Sequence, residues 1–173
     1  MKVRNEWNNN RGDRFVDSIL DGTPVYISMT TIASRLKIAI KTIEYIVKGS
    51  YLPTEVYIFV SKEPYLLDTG VSDEKLVAAG INGLLDKFPF VKVIFTQNLA
   101  SHRKLLPLLQ KKWDEDCAII TVDDDYEYSK RWLESLIMYY AAANRSAVIS
   151  PRARRIAVCL DSKETNSLQH RYM

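Results

Sequence analysis

The sequence predicts an α/β fold in which an open, mostly parallel sheet carries helices on both faces. Short apolar runs rich in strand-forming residues alternate along the chain with segments whose apolar residues recur at helical spacing. The strand runs are apolar almost throughout, as in parallel strands that are buried on both faces. The 173 residues fit one domain with a sizeable core.

The first elements form a predicted βαβ unit. Residues 25–29 read as a strand, a helix follows, Gly49 stands where helices commonly end, and residues 56–60 read as a second strand. The helix is indicated by a single apolar stripe, which consists of Leu36, Ala39, Ile40, Ile43, Ile46 and Val47. Parallel strands of this kind are joined by right-handed crossovers.

The third strand is predicted at residues 91–95, after a helix that begins at Ser72. Asp73 and Glu74 follow this capping serine in the first turn, where carboxylates favour the positive end of the helix dipole. Gly80 lies within the apolar stripe of the same helix and weakens it.

The last predicted elements are two helices and two strands. An amphipathic segment runs from residue 105 to 113, and Pro107 fits it without a kink only in the first helical turn. A fourth strand is expected at residues 117–122, then a helix from about Ser129, then a fifth strand at residues 147–149. A strand order of 3-2-1-4-5 would place strands one and four side by side.

Charge and composition exclude several classes of protein. The chain has 24 basic and 21 acidic side chains, a net charge of +3 that is too balanced to indicate nucleic acid as the main partner. The first 22 residues are polar and lack the apolar core of a signal peptide or a transmembrane anchor. Two cysteines without metal-ligand spacing indicate free thiols in a reducing compartment, so a cytoplasmic protein is expected.

Three consecutive carboxylates follow directly on the fourth strand. Asp123, Asp124 and Asp125 therefore lie at the carboxyl edge of the predicted sheet, where open α/β sheets bind their ligands. Carboxylates at this spacing can supply oxygen ligands to Mg²⁺ or Mn²⁺, while substrate phosphates complete the shell. The alternative is structural, because Asp125 or Ser129 could cap the following helix. Capping needs only one of these side chains, and three adjacent carboxylates repel one another unless a cation is near.

Basic side chains follow the other predicted strands at the same edge. Arg35 comes after strand one, Lys104 after strand three, and Arg152 and Arg154 after strand five. Cations around a crevice can hold a diphosphate from the side opposite a metal ion. Each could also be solvated, in the first turn of a helix for Arg35 and Lys104 and in a terminal segment for the other two.

Several common motifs are absent from the sequence. It contains neither G-x-x-x-x-G-K-[ST] nor G-x-G-x-x-G, and it has no G-x-S-x-G elbow. A phosphotransfer or aspartyl phosphatase site would place its nucleophile after an early strand, whereas the first strand here runs into the segment 28–31, SMTT. The remaining features that can carry chemistry are the three consecutive carboxylates at residues 123–125, which we call the acidic run, and the basic loops.

Four segments together resemble nucleotide-sugar glycosyltransferases of the GT-A fold, with a family-2-like core. They are ISMTTIASR, SHRKLLPLL, IITVDDDYEYSKRWLESLI and AVISPRARRI, which occur in this order within residues 24–156, each at a predicted strand end. The resemblance implies a Rossmann-like, nucleotide-sugar-binding core. It also implies transfer of a sugar from a nucleotide-diphospho-sugar donor to a glycan or other acceptor.

The resemblance implies roles for individual residues as well. Asp123 and Asp125 would form a D-x-D motif that ligates Mn²⁺ or Mg²⁺, with Asp124 between them or the register shifted by one. Lys104 would approach the base or the diphosphate. The whole donor-binding set that we expect is Thr30, Thr31, Arg35, Lys104, Asp123, Asp124, Arg152 and Arg154. No residue is assigned as the catalytic base.

Three regions follow from this reading of the chain. Residues 1–22 are expected to be a polar N-terminal extension, residues 23–156 the GT-A-like domain, and residues 157–173 a C-terminal tail. Members of the family usually continue with an acceptor-binding half, which carries a general base in inverting enzymes. Much of that half is expected to be missing here, so the alternative function is a non-catalytic nucleotide-sugar-binding or interaction module.

Overall fold

Four parallel strands form the centre of the computed structural model, which describes residues 19–151. The strands lie in the order β3-β2-β1-β4. Their bounds are Val25–Thr30 for β1, Glu55–Val60 for β2, Val91–Phe95 for β3 and Ala118–Val122 for β4. The predicted α/β class and parallel sheet are confirmed, as is the order of the first four strands.

Between residues 19 and 151, five α-helices connect or follow these strands. They are α1 (Leu36–Val47), α2 (Asp73–Ala79), α3 (Ile81–Lys87), α4 (Leu106–Lys111) and α5 (Trp132–Ala142). Short 3-10 segments at Ala33–Arg35 and Ala100–Lys104 precede α1 and α4. Within residues 19–151, no helix is both long enough and apolar enough to cross a membrane.

Helices cover both faces of the sheet. The main core lies on the first face, where alternate strand residues pack against α1, α2, α3 and α5. A smaller core lies on the second face, where Tyr26, Tyr57 and Phe59 of the strands surround Leu108 of α4. Representative members of the main core are Val25, Ile27, Met29, Val56, Ile58, Ile43, Leu76, Leu84 and Ile137. Alternation along the strands divides their side chains between these two cores.

Local sequence signals explain where the helices begin and end. Ser72 Oγ accepts the Lys75 backbone N–H at 3.3 Å, so the predicted cap of α2 is present. Gly80 has φ +93°, which divides the single helix expected here into α2 and α3. Pro107 is the second residue of α4 and therefore lies in the first turn, the one place where it causes no kink.

The predicted fifth strand is wrong. Residues 147–149 form no strand, and Val148 is 98% exposed. The physical reason is the position of α5, which packs through Leu133 and Ile137 into the core on the first face. A right-handed crossover from β4 to a strand beyond it would need its helix on the second face, where α4 already makes the crossover from β3 to β4.

The predicted N-terminal boundary also needs correction. Leu20 belongs to the main core and is 1% exposed, so the extension expected at residues 1–22 overlaps the packed domain. Arg145 Nη2 donates to the Ile19 carbonyl at 2.6 Å, which links this segment to the chain that follows α5. The predicted tail at residues 157–173 lies outside the described residues, as do Arg152 and Arg154.

Candidate functional site

The acidic run lies at the point where the strand order reverses. The chain passes from β1 to β2 and β3 on one side, then returns to form β4 on the other side of β1. Met29 pairs with Val122, so the loops after β1 and β4 leave the sheet side by side. Open α/β sheets bind ligands at such a switch point, outside the carboxyl ends of the strands.

Alternate carboxylates of the run have opposite environments. The side chains of Asp123 and Asp125 are 68% and 52% exposed, whereas that of Asp124 is 5% exposed. Asp123 follows the last residue of β4, and Asp124 and Asp125 lie in the turn that comes next. The fold therefore buries the Asp124 side chain and leaves those of Asp123 and Asp125 exposed to solvent.

Asp124 is bonded within the fold. Its Oδ2 accepts the Thr31 hydroxyl at 2.6 Å, and its backbone carbonyl accepts the Thr42 hydroxyl at 2.9 Å. Burial raises the pKa of the Asp124 carboxyl, and the neighbouring charge of Asp125 adds to this, whereas the Thr31 hydrogen bond and Arg35 oppose it. Asp124 thus joins the end of β4 to the β1 loop and to α1, which differs from the donor-contacting role predicted for it.

Two cations face the acidic run. Arg35 Nη1 lies 2.8 Å from Asp125 Oδ2 and 3.3 Å from Asp124 Oδ1. Lys104 Nζ lies 2.6 Å from Asp123 Oδ1. We call the surface formed by Arg35, Lys104, Asp123 and Asp125 the charged crevice. Opposite charges from three loops meet there, the arrangement expected if strands one and four are neighbours.

The Tyr128 side chain contacts the first residue of the acidic run. The Asp123 backbone N–H donates to the Tyr128 hydroxyl oxygen at 3.0 Å. The Tyr128 ring packs on Trp132 at a centroid distance of 4.4 Å and meets Tyr126 edge-on at 5.0 Å. Burial raises the pKa of Tyr128 to about 12, so its hydroxyl stays neutral. This contact is not predictable from the sequence, because spacing alone does not show that the side chain of a tyrosine five residues later turns back toward Asp123.

The predicted threonines support the crevice through the fold. The Thr30 hydroxyl donates to the Phe59 carbonyl at 2.9 Å, and the Thr31 hydroxyl is taken by Asp124. Neither hydroxyl therefore points a free donor at the crevice. The capping alternative for the acidic run also fails, because α5 begins at Trp132 and no side chain of Asp125 or Ser129 caps it.

The residues present suit a metal ion that takes few protein ligands. Among residues 19–151, no group of three or more His, Cys, Asp or Glu side chains is placed to hold a metal by itself. Asp123 and Asp125 offer two exposed carboxylates. Mg²⁺ and Mn²⁺ sites of substrate phosphates commonly have one or two carboxylates, with water and phosphate oxygens completing the shell. Two carboxylates are too few for a closed, all-protein site, and they match the number that a phosphate-bound metal ion takes from the protein.

Comparison with known proteins adds no family assignment. No protein-family model matches the chain, and no curated protein matches it. The fold is an α/β domain with a parallel sheet, and the site is a surface of mixed charge at the switch point of that sheet.

Proposed function

We propose that this chain is a GT-A-type glycosyltransferase, which binds a nucleotide-diphospho-sugar in the charged crevice and moves its sugar to an acceptor. The observation that carries the proposal is the division of the acidic run, in which Asp124 is buried while Asp123 and Asp125 face outward beside two cations. Helix capping does not account for the outer carboxylates. The GT-A-like sequence segments support the same proposal.

Each residue of the charged crevice has a role in this proposal. Asp123 and Asp125 would hold a divalent ion, Mn²⁺ or Mg²⁺, which would supply Lewis-acid neutralisation of charge on the diphosphate. Lys104 and Arg35 would exchange their carboxylate partners for diphosphate oxygens, since charge-assisted hydrogen bonds from these groups suit phosphate as well as carboxylate. Asp124 and Thr31 would hold the two loops at a fixed separation.

A non-catalytic nucleotide-sugar-binding module is the second candidate. One observation favours it: Asp124 is bonded to Thr31, and Asp123 and Asp125 would hold the metal ion, so none of the three carboxylates is left to act as a general base. A binding module needs only the donor half of the site. An inverting transferase also needs a base near the acceptor.

Donor hydrolysis separates the two candidates. Purified protein is incubated with UDP- and GDP-sugars and Mn²⁺, and released sugar is measured against Asp125→Asn. A transferase is expected to release sugar slowly to water without an acceptor, and the variant to lose this activity. Metal-dependent binding of UDP or GDP without any release would favour the binding module. If neither binding nor release is detected, both candidates are refuted.

A further inference from the structure

Asp68 and Arg103 form a buried ion pair, which we call the loop clamp. Arg103 Nη2 lies 2.9 Å from Asp68 Oδ2, and the two side chains are only 2% and 3% exposed. Burying two charges is costly, and such a pair often adds less stability than apolar residues of the same volume. The role of the loop clamp is therefore to be found in what it connects.

The loop clamp joins the loops that follow the first three strands. Asp68 lies in the loop after β2, and Arg103 lies in the 3-10 segment after β3. Asp68 Oδ1 accepts the backbone N–H of Ala33, in the loop after β1, at 3.4 Å and that of Gly70 at 3.1 Å. Arg103 Nε donates to the Ala100 carbonyl within its own segment at 3.2 Å. A single carboxylate thus ties three separate loops together.

These loops carry both cations of the charged crevice. Lys104 is the residue after Arg103, and its Nζ reaches Asp123. Ala33 begins the 3-10 turn that ends at Arg35, whose guanidinium reaches Asp125. The backbone beneath each cation is therefore held, within two residues, by a contact of the loop clamp.

We propose that the loop clamp is a positioning pair, which holds Lys104 and Arg35 against the acidic run and so shapes the site for a nucleotide diphosphate. The nucleotide part of this inference rests on the proposed function. A pair that served stability alone would not need to join these loops. The ion pair between Glu55 and Lys92 is a useful contrast, because it joins only the neighbouring strands β2 and β3 at the opposite end of the sheet.

The test uses a double variant that removes the ion pair between Asp68 and Arg103, which is the contact that holds the backbone next to Lys104, and leaves no buried charge. Arg103→Met keeps a long side chain, and Asp68→Asn keeps an oxygen that can accept from the Ala33 and Gly70 amides. The matched control is Glu55→Gln with Lys92→Met, which removes one negative and one positive charge at the far end of the sheet. Far-UV circular dichroism and thermal unfolding show that each variant is folded before it is compared.

The first readout needs no nucleotide. Lysine acylation by a water-soluble ester is followed by mass spectrometry, with Lys48, 64% exposed on α1's C-terminal side, as the internal reference. Asp123→Asn gives the rate for a Lys104 without its carboxylate partner. We expect the acylation rate of Lys104 in Asp68→Asn/Arg103→Met to rise several-fold, toward the rate measured in Asp123→Asn. The control variant is expected to match the parent. A Lys104 rate that stays at the parent value overturns the proposal.

The second readout is the affinity for UDP and GDP in the presence of Mn²⁺. The clamp-free variant is expected to bind about tenfold more weakly than the parent and the control, the loss of roughly one charge-assisted contact. Unchanged affinity in a variant with a released Lys104 would show that the loop clamp does not serve the site, and would refute the proposal. If the parent binds neither nucleotide, the proposed function fails, and the acylation rates still decide whether the loop clamp positions Lys104.

Discussion

Replacing Thr31 with valine tests how the fold accommodates the middle aspartate. Thr31→Val keeps the side-chain shape but removes the hydroxyl that donates to Asp124 Oδ2 at 2.6 Å, and both residues are almost completely buried. A hydrogen bond to a charged group contributes about 1.5–3 kcal/mol. We therefore expect the free energy of unfolding at pH 7 to fall by about 2 kcal/mol, which corresponds to a Tm lower by about 4–8 °C for a chain of this size.

The loss in Thr31→Val is expected to depend on pH. Burial raises the pKa of Asp124 above its ordinary value of 3.8, so the folded protein holds this proton more tightly than the unfolded chain does. The resulting gain in the free energy of unfolding is fully present below pH 3.8 and is lost as the pH rises through the folded-state pKa. The Thr31 hydroxyl opposes this rise, so the valine variant should raise the pKa further. The difference between parent and variant should then shrink as the pH falls, because a protonated Asp124 needs no donor.

Urea unfolding from pH 7 to pH 4 measures both effects. Thr30→Val is the matched control, because its hydroxyl donates to a neutral carbonyl of Phe59 at 2.9 Å. Thr30→Val should lower the free energy of unfolding by about 0.5–1.5 kcal/mol, and this loss should be the same from pH 7 to pH 4. Equal and pH-independent losses for the two valine variants would refute the reasoning about Asp124.

Three further predictions concern the cations of the charged crevice, the main core and the cap of α2. Lys104→Met should change the free energy of urea unfolding by less than about 1 kcal/mol, because its ion pair with Asp123 is partly exposed. Arg35→Met should cost more, because Arg35 also lies 3.3 Å from the buried carboxylate of Asp124. The affinity of both variants for a nucleotide diphosphate, measured by calorimetry, should fall and lose much of its salt dependence. A loss of stability in Lys104→Met well above that limit would show that Lys104 serves the fold. Ile43→Ala should cost about 2–5 kcal/mol in the same unfolding assay, because Ile43 of α1 is fully buried in the main core. Ser72→Ala should cost about 0.5–2 kcal/mol through loss of the α2 cap, and an unchanged stability would contradict the capping contact.

The strands and the first helices were predictable because their signals are local. The apolar stripe of α1 and the largely apolar strands each reflect burial within one element. The fifth strand was not predictable in the same way, because the Ala-Val-Ile run at residues 147–149 resembles a strand only when its neighbours are ignored. Whether α5 crosses to the second face of the sheet is decided by packing, which the periodicity of α5 does not report.

The candidate site shows the same limit. The sequence placed Arg35, Lys104 and the acidic run at one edge, because parallel strands bring their carboxyl ends together. It did not show which of the aspartates is buried, since that depends on the Thr31 and Thr42 hydroxyls, which belong to another loop and another helix. Asp68 was missed because it lies 35 residues from Arg103 in the chain, and no spacing rule connects them.

The most direct test of the proposed site is calorimetric titration of UDP and GDP into the protein with and without Mn²⁺. The parent should bind at least one nucleotide more tightly with Mn²⁺, and Asp123→Asn or Asp125→Asn should remove most of that gain. Glu127→Gln is the matched control, because Glu127 is an exposed carboxylate just outside the acidic run. Nucleotide affinity that is the same with and without Mn²⁺, or the same in the parent and both aspartate variants, would contradict a metal-bridged diphosphate at Asp123 and Asp125.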